Sequence, residues 1–313
     1  MKFTLPSSLE NSSNILIAGA GGGFDVFAGL PLLFALRKLG KTVTLANLSF
    51  TYLGGTDGEQ LVPGTYRITA ETKASGDYFP EGVLARFLAS KNITCPLYAF
   101  DKNGVRPVRA GYEVLVRKHE IDAIVLIDGG TDILMRGNEA GLGTPEEDMV
   151  SLAAVSELPV PTRLVYCLGF GIDSFHGVCH AHFLENVAAL SRDGGFLGST
   201  SLLKEMPEGG FYLDAVRYSE EFMPSKPSIV NTSIASAIEG QFGNYHRTER
   251  TRSSELFINP LMSMYWAFDL AAVAKRSLYL GELRNTQTIW DVQTIIRGFH
   301  KSQELRERKP IPH

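Results

Sequence analysis

Three short apolar runs in this chain each end in a cluster of glycines and aspartates, and a helix-like segment follows each cluster. The runs cover residues 14–18, 123–127 and 163–168, and the clusters after them cover residues 19–25, 128–132 and 169–173. Continuous apolar runs separated by helices are typical of parallel strands that are buried on both faces. The pattern therefore predicts an α/β fold of the Rossmann-like class, with a mostly parallel sheet and helices on both of its faces.

The 313 residues are predicted to form a single α/β domain, since neither an internal repeat nor a low-complexity linker divides them. A polar stretch, residues 49–77, is too long for a plain connection and indicates an active-site loop or a small excursion. The C-terminal part, residues 261–305, is predicted to be helical, with long helices over 261–280 and 288–304. A short strand is expected near residues 228–230.

Composition argues against several classes of function. The net charge of −4 leaves no basic surface of the kind that binds nucleic acid. The most apolar late segment, residues 261–280, contains Asp269, Lys275 and Arg276, which favours a buried helix over a membrane span. Three cysteines without a Cys-x-x-Cys pair indicate reduced thiols. We therefore expect a cytoplasmic protein that binds neither nucleic acid nor a membrane.

The first cluster, residues 19–25, has the sequence Gly-Ala-Gly-Gly-Gly-Phe-Asp and joins a strand to a helix. Such a turn brings backbone N–H groups to a helix N-terminus. Gly21, Gly22 and Gly23 are therefore predicted to bind an anion, with Asp25 in the same pocket. NAD is not expected, because a phenylalanine replaces the third glycine of the dinucleotide motif and no acid follows the second strand. Alternatively, the glycines only let the helix pack closely on the strand.

The second cluster, residues 128–132, has the sequence Asp-Gly-Gly-Thr-Asp. Asp128 and Asp132 can hold Mg²⁺ through one or both carboxylates, or they can act as catalytic acid and base. The alternative is structural, with Asp128 capping a turn and Asp132 capping a helix. The substrate-binding candidates in this cluster and on the turn beyond it, which can fold back over a ligand, are Gly129, Gly130, Asn138 and Glu139.

The third cluster, residues 169–173, ends at Asp173, a candidate for binding the substrate. His176 is a candidate catalytic residue. His176 and His180 would share one face of a helix, which is a spacing found in zinc sites. The alternative is that Asp173 caps this helix and that both histidines are satisfied locally.

Two loops are further candidates for closing the pocket. Asp57 lies in a Gly-rich part of the 49–77 segment and is a candidate substrate-binding residue, although a solvated turn explains it equally well. Residues 241–252 contain several arginines. They form either a solvated charge run or a basic lid over an anionic substrate.

Taken together, the three clusters resemble those of the domain-of-unknown-function 1152 family, DUF1152, across residues 14–300. The resemblance implies a cytoplasmic Rossmann-like protein and supplies no activity. Asp128-Gly129-Gly130 and the later Asn138-Glu139 also resemble the Asp-Gly-Gly-Asn-Glu stretch of D-glutamate cyclase-like proteins, which implies a lyase or cyclase for an acidic amino acid. In this chain a threonine stands in place of the asparagine of that stretch, and the Asn-Glu pair comes later.

The carboxyl ends of parallel strands meet at one edge of a sheet, so the three clusters are expected to surround one cleft. We expect an enzyme that hydrolyses or transfers a group on a small anionic metabolite, phosphorylated or nucleotide-derived. Asp128 and Asp132 would bind Mg²⁺ or transfer protons. The alternative from another class is a non-catalytic protein that binds or senses a small ligand in the same cleft. Whether the chain forms a homo-oligomer is left open.

Overall fold

The computed structural model describes residues 3–311, which contain nine strands in one sheet. In chain order the strands are β1 (Asn14–Gly19), β2 (Thr42–Ser49), β3 (Glu59–Val62), β4 (Thr65–Ile68), β5 (Leu97–Asp101), β6 (Ala123–Asp128), β7 (Thr162–Cys167), β8 (Phe196–Ser201) and β9 (Met264–Asp269). Across the sheet their order is β3-β4-β5-β2-β1-β6-β7-β9-β8. The five central strands are parallel, and the two pairs at the edges run antiparallel to their neighbours. The predicted α/β class with a mostly parallel sheet is confirmed.

Helices cover both faces of the sheet. Within residues 3–311 they are α1 (Ser7–Glu10), α2 (Asp25–Ala28), α3 (Leu30–Lys38), α4 (Pro80–Ser90), α5 (Val105–Lys118), α6 (Pro145–Ser156), α7 (His180–Arg192), α8 (Pro207–Phe222), α9 (Ile229–Ile238), α10 (Leu270–Arg276), α11 (Leu280–Leu283) and α12 (Ile289–Ser302). Helices α3, α4, α8 and α9 pack on one face, and α5, α6, α7, α10 and α12 on the other.

The central strand β1 shows why the strands of this chain are continuous apolar runs instead of alternating apolar and polar residues. Ile15 and Ile17 point into one core, whereas Leu16 and Ala18 point into the other. Because both faces of a parallel strand are buried, every position along it must be apolar.

The strand order reverses at β1. The chain leaves β1 toward β2 and β5 on one side and returns to β6 and β7 on the other. At such a reversal the two connections diverge, which opens a crevice outside the carboxyl ends of β1 and β6. The clusters at residues 19–25 and 128–132 lie at those two strand ends.

Two elements differ from the sequence predictions. The helix predicted over 261–280 is wrong in its first half, because residues 264–269 form β9 between β7 and β8. Its side chains are apolar on both faces, so neither an alternating nor a helical pattern was visible. The strand predicted near residues 228–230 is also wrong. Ser228 instead caps α9, and its side chain accepts a hydrogen bond from the Asn231 N–H.

The 49–77 segment contains the β3–β4 hairpin, which adds two antiparallel strands beside β5. The helix predicted over 288–304 is present as α12, which a capping box at Thr288 and Asp291 begins. Among residues 3–311, no helix combines the length and the apolar character needed to cross a membrane.

Candidate functional site

Three aspartates converge at the crevice beside β1. Asp25 follows the glycine turn after β1, Asp128 ends β6, and Asp148 lies in the first part of α6. One carboxylate oxygen from each lies within 4.8 Å of the other two. We refer to Asp25, Asp128 and Asp148 as the acid triad.

Backbone amides fix the carboxylates that arise from the second cluster. Asp128 Oδ1 accepts from the Gly130 N–H at 2.6 Å, and its Oδ2 accepts from the Ile133 N–H at 3.2 Å. Asp132 Oδ2 accepts from the Thr144 N–H at 2.7 Å. The turn after β6 therefore folds around its own acids. The expected roles of Asp128 as a turn cap and as a chemical group are compatible, because each of its oxygens keeps further lone pairs.

Asp25 and Asp173 are oriented in the same way. The Gly21 N–H donates to Asp25 Oδ2 at 2.7 Å. The Thr131 N–H donates to Asp173 Oδ2 at 2.6 Å, which ties the third cluster to the second. Asp173 therefore lies beside the acid triad, as parallel strand ends predict.

Asp148 was missed by sequence reasoning. Its side chain is 2% exposed, and its Oδ1 has no hydrogen-bond partner among residues 3–311. The only sequence signal at Asp148 was its place among the acidic residues that follow Pro145 at the start of α6. Acidic side chains are common there because they stabilise the N-terminus of a helix. A buried carboxylate oxygen is costly unless a hydrogen-bond donor or a cation lies beside it.

Burial and mutual repulsion raise the pKa of every acid in this group. Burial raises the pKa of Asp25 to about 8 and that of Asp173 to about 6, with neighbouring carboxylates adding to each effect. Burial, and then the surrounding aspartates, also raise the pKa values of Asp128, Asp132 and Asp148 well above their ordinary value. Near neutral pH the group must therefore hold protons or a cation.

A cavity of about 430 Å³ opens beside these acids. Its lining residues are Gly21, Gly22, Gly23, Phe24, Asp25, Phe50, Tyr78, Thr144, Ile172, Asp173, Phe175, His176, Ser228, Ile229, Val230, Arg250, Thr251, Ser253, Ser254 and Leu256. Asp25 and Asp173 thus reach the cavity directly. Asp128, Asp132 and Asp148 are buried and outside this lining.

The predicted anion cradle is partly used within the protein. The Gly21 N–H donates to Asp25, and the Gly23 N–H donates to the Leu48 carbonyl at 3.1 Å. The helix after the turn, α2, has only four residues. The glycines are nevertheless required, because a Cβ at Gly21 would come within 2.8 Å of oxygens of both Asp25 and Asp148.

Gly129 and Gly130 also let acids approach the backbone closely. A Cβ at Gly129 would lie 2.8 Å from Asp25 Oδ1, and one at Gly130 would lie 2.7 Å from Asp173 Oδ1. Both glycines therefore lie at the acid group, although neither lines the cavity.

His176 is exposed and lines the cavity, but it does not share a helical face with His180. A 3₁₀ helix, Ile172–His176, ends at Gly177 with a φ of 95°, and α7 begins only at His180. The interpretation that the two histidines share one helical face is therefore wrong, because the glycine breaks the helix between them.

Three other candidates lie away from the cavity. Asp57 is exposed and accepts from the Lys73 N–H at 2.7 Å, which closes a turn of the 49–77 segment. Glu139 is buried and accepts from the backbone N–H groups of Arg136 and Gly137. The backbone carbonyl of Asn138 accepts from the Arg306 N–H at 2.8 Å. The Asn-Glu pair thus folds toward the C-terminal segment instead of over the ligand space.

The arginine-rich loop, residues 241–252, is divided between two roles. Arg247 forms ion pairs with Glu220 of α8 and with Glu239, the residue after α9, so it fixes the loop on both helices. Arg250 lines the cavity, together with Thr251. One of the arginines is therefore placed as the basic-lid alternative requires.

Two comparisons with known proteins bear on the chain. The family model described as a protein of unknown function, DUF1152, matches residues 57–309. It covers the second and third clusters and begins after the first. No curated protein matches the chain.

Proposed function

This chain belongs to the DUF1152 family, and because the family's description names no activity, we propose a function from the site itself. The protein is an enzyme that uses a divalent cation such as Mg²⁺ to hydrolyse or transfer a group on a small anionic metabolite, phosphorylated or nucleotide-derived. The carrying observation is the acid triad, in which Asp148 Oδ1 is buried without a partner among residues 3–311. Asp25 connects the triad to the cavity.

The donor set of the acid triad suits Mg²⁺. This ion prefers oxygen ligands, takes one or two protein carboxylates and completes its octahedron with water and substrate oxygens. The acid triad, whose oxygens lie within 4.8 Å of one another, contains more than enough carboxylates for such a site. A cation among them would also offset the burial and repulsion that raise their pKa values.

The remaining polar groups of the cavity suit an anion. Arg250 is the one arginine or lysine that lines it within the described chain, and a guanidinium binds phosphate or carboxylate through paired N–H donors. Ser253 and Ser254 line the same cavity. An anionic metabolite would therefore meet a positive side chain on one part of the wall and Asp25 of the acid triad on another.

The chemistry would be shared between the cation and the wall. When bound, Mg²⁺ polarises a phosphoryl or carbonyl oxygen and lowers the pKa of a bound water. Asp173 and His176 lie on one 3₁₀ turn of the cavity wall, where each is accessible for proton transfer. The amide donors to Asp128 and Asp132 keep those carboxylates oriented without using side chains of the cavity.

A reducing compartment is part of the proposal. Cys95, Cys167 and Cys179 are all unpaired. Free and mostly buried thiols are typical of proteins kept in the cytoplasm, which supports a cytoplasmic enzyme.

The test compares the wild type with Asp148→Asn in two measurements, the affinity for a divalent metal and the rate of turnover. This change keeps the shape of the side chain and removes one charge, so the variant should fold. We expect its affinity for Mg²⁺ or Mn²⁺ in calorimetry to fall by at least about 100-fold, because a direct ligand is lost and the loss of an outer-shell partner alone costs up to about 100-fold. Turnover of phosphate esters and nucleotides by the wild type should require the metal and should be lost in the variant.

The matched control is Glu146→Gln, which removes one charge from the same first turn of α6 outside the acid triad. It should keep the wild-type metal affinity. Unchanged affinity in Asp148→Asn, or an equal loss in both variants, would remove the acid triad as the metal site. Metal binding without turnover of any compound would favour the alternative of a ligand sensor.

A further inference from the structure

Two of the three phenylalanine rings in the cavity wall are far more exposed than the third. Phe175 is 69% exposed and Phe50 is 48% exposed, whereas Phe24 in the same wall is 8% exposed. A single exposed apolar side chain is ordinary. Two exposed rings in the lining of one cavity are typical of a ligand pocket, whose wall is mostly apolar and aromatic.

Phe50 is held in place next to the glycine turn. A Cβ at Gly22 would come within 2.9 Å of its ring, and one at Gly23 within 3.1 Å. Both glycines have a positive φ, 88° and 61°, so side chains are disfavoured there and the ring can lie against the backbone. Lys102 Nζ lies 5.1 Å from the ring centroid, which fixes the ring further.

Phe175 lies on the same short turn as two polar groups of the cavity. The 3₁₀ helix Ile172–His176 carries Asp173, Phe175 and His176 within four consecutive residues. The rings of Phe175 and His176 meet edge to face, with centroids 5.1 Å apart. An aromatic surface and the acidic group are therefore separated by less than one turn of chain.

We infer that the ligand of this cavity carries a flat aromatic ring beside its anionic group, as a nucleotide does, and that Phe50 and Phe175 bind the ring. The inference rests on the proposed function, since it assigns a substrate class to the same site. Rings stack on phenylalanine regardless of their exact substituents, whereas Arg250 and the serine hydroxyls suit the anion. An aliphatic acid would use the apolar wall but would gain less from two planar platforms.

The experiment compares ligands that differ only in the ring. Binding of purine and pyrimidine nucleoside monophosphates is measured by calorimetry against ribose 5-phosphate, all with Mg²⁺ present. The wild type should bind the best nucleoside monophosphate about tenfold more tightly than ribose 5-phosphate, the order expected for stacking of one base. In Phe175→Ala this ratio should fall toward one, while the affinity for ribose 5-phosphate stays the same. Phe175→Tyr should restore the ratio.

The matched control is Phe242→Ala. Phe242 is also 69% exposed, but it packs edge to face on Phe257 and is outside the cavity lining. It should keep the wild-type ratio. A wild-type ratio near one, a ratio unaffected by Phe175→Ala, or no binding of any nucleoside monophosphate would overturn the inference. Metal affinity in the Asp148→Asn comparison is measured without these ligands, so either idea can fail alone.

Discussion

At the scale of single residues, a buried carboxyl group outside the acid triad, that of Glu81, supports the glycine turn through Asn47. Glu81 is fully buried, and its Oε1 accepts from Asn47 Nδ2 at 2.7 Å. The same Asn47 amide donates to the Gly23 carbonyl at 2.7 Å. Glu81 Oε2 has no partner among residues 3–311. Burial raises the pKa of Glu81 to about 6, because its hydrogen bonds offset only part of the lost hydration.

This shift predicts a pH-dependent share of the stability. The pKa of Glu81 is about 6 in the folded chain and about 4.3 in an unfolded one. Between these values the folded chain binds more protons, so stability falls as pH rises through about 6. In urea unfolding, the free energy of unfolding of the wild type should fall by about 2 kcal/mol more than that of Glu81→Gln between about pH 4 and about pH 7.5.

The control for this prediction is Glu208→Gln. Glu208 also follows a proline in the first turn of a helix and is buried, but its carboxylate lies 3.7 Å from Lys38 Nζ. In this variant the free energy of unfolding should depend on pH as it does in the wild type. Equal slopes in the wild type and Glu81→Gln would show that burial of Glu81 does not set the pH dependence.

Residues at strand ends were predictable, and the residue contributed by a packed helix was not. Asp25, Asp128 and Asp173 came from one rule, that parallel strands end at the same edge. Asp148 reaches the group only because α6 packs over that edge. In the sequence it looks like any acid at a helix start. Glu139 shows the opposite case, because the sequence suggested a ligand-binding residue where the structure has an internal contact. A turn at Gly137, with a φ of 120°, directs the Glu139 carboxylate to nearby backbone amides.

At the scale of elements, the C-terminal segment after α12 fastens the turn that follows β6. Arg306 lies 3.5 Å from Glu139 Oε1 and also pairs with Glu185 of α7. Burial alone would raise the pKa of Glu139, but the amides of Gly137, Arg136 and Asn186 lower it below its usual range. Glu139 is therefore a buried, ionised group that joins three parts of the chain.

Removing the positive side chain of Arg306 from its pair with Glu139 should destabilise the fold. Arg306→Ala leaves the buried Glu139 charge with its amide donors only, and we expect a loss of about 2 kcal/mol in urea unfolding. Lys309→Ala is the control, because Lys309 pairs with the exposed side of Glu185 at 3.3 Å. That variant should lose less than about 0.5 kcal/mol. Equal losses in the two variants would contradict a special role for the buried pair.

The wrong helix prediction over residues 264–269 has a physical cause. In β9, Tyr265 and Ala267 face one core while Trp266 and Phe268 face the other. A strand buried on both faces and a buried helix have the same apolar composition, so only pairing with β7 and β8 separates them. Pairing with β7 joins residues about a hundred positions apart, and pairing with β8 joins residues about seventy apart, which no local pattern records.

At the scale of the whole molecule, the reversal of strand order at β1 is what brings the chemistry together. The apolar runs predicted the sheet and the shared edge of the three clusters. They did not predict the distances within the acid triad or the cavity wall, because these depend on α6, α9 and the loop of residues 241–252. The result is a fold in which a group of mutually repelling carboxyl groups lies beside the candidate ligand site.

That arrangement predicts that a divalent cation stabilises the protein in a pH-dependent way. Burial gives Asp25 a pKa of about 8 and Asp173 one of about 6, so rising pH removes protons and lowers the stability of the metal-free protein. At about pH 8, Mg²⁺ at about 100 times its dissociation constant should add about 2.7 kcal/mol, or about 5 °C in the melting temperature. Near about pH 5 the same concentration should add almost nothing, because protons occupy the carboxylates.

Thermal melts at both pH values measure this effect, with sodium chloride at equal ionic strength as the control for general screening. Asp148→Asn should abolish the shift at the higher pH and melt at a higher temperature than the metal-free wild type, since it removes one of the repelling charges. A shift of equal size at both pH values would contradict binding at these carboxylates. So would a full shift in Asp148→Asn, because a surface site would then hold the ion.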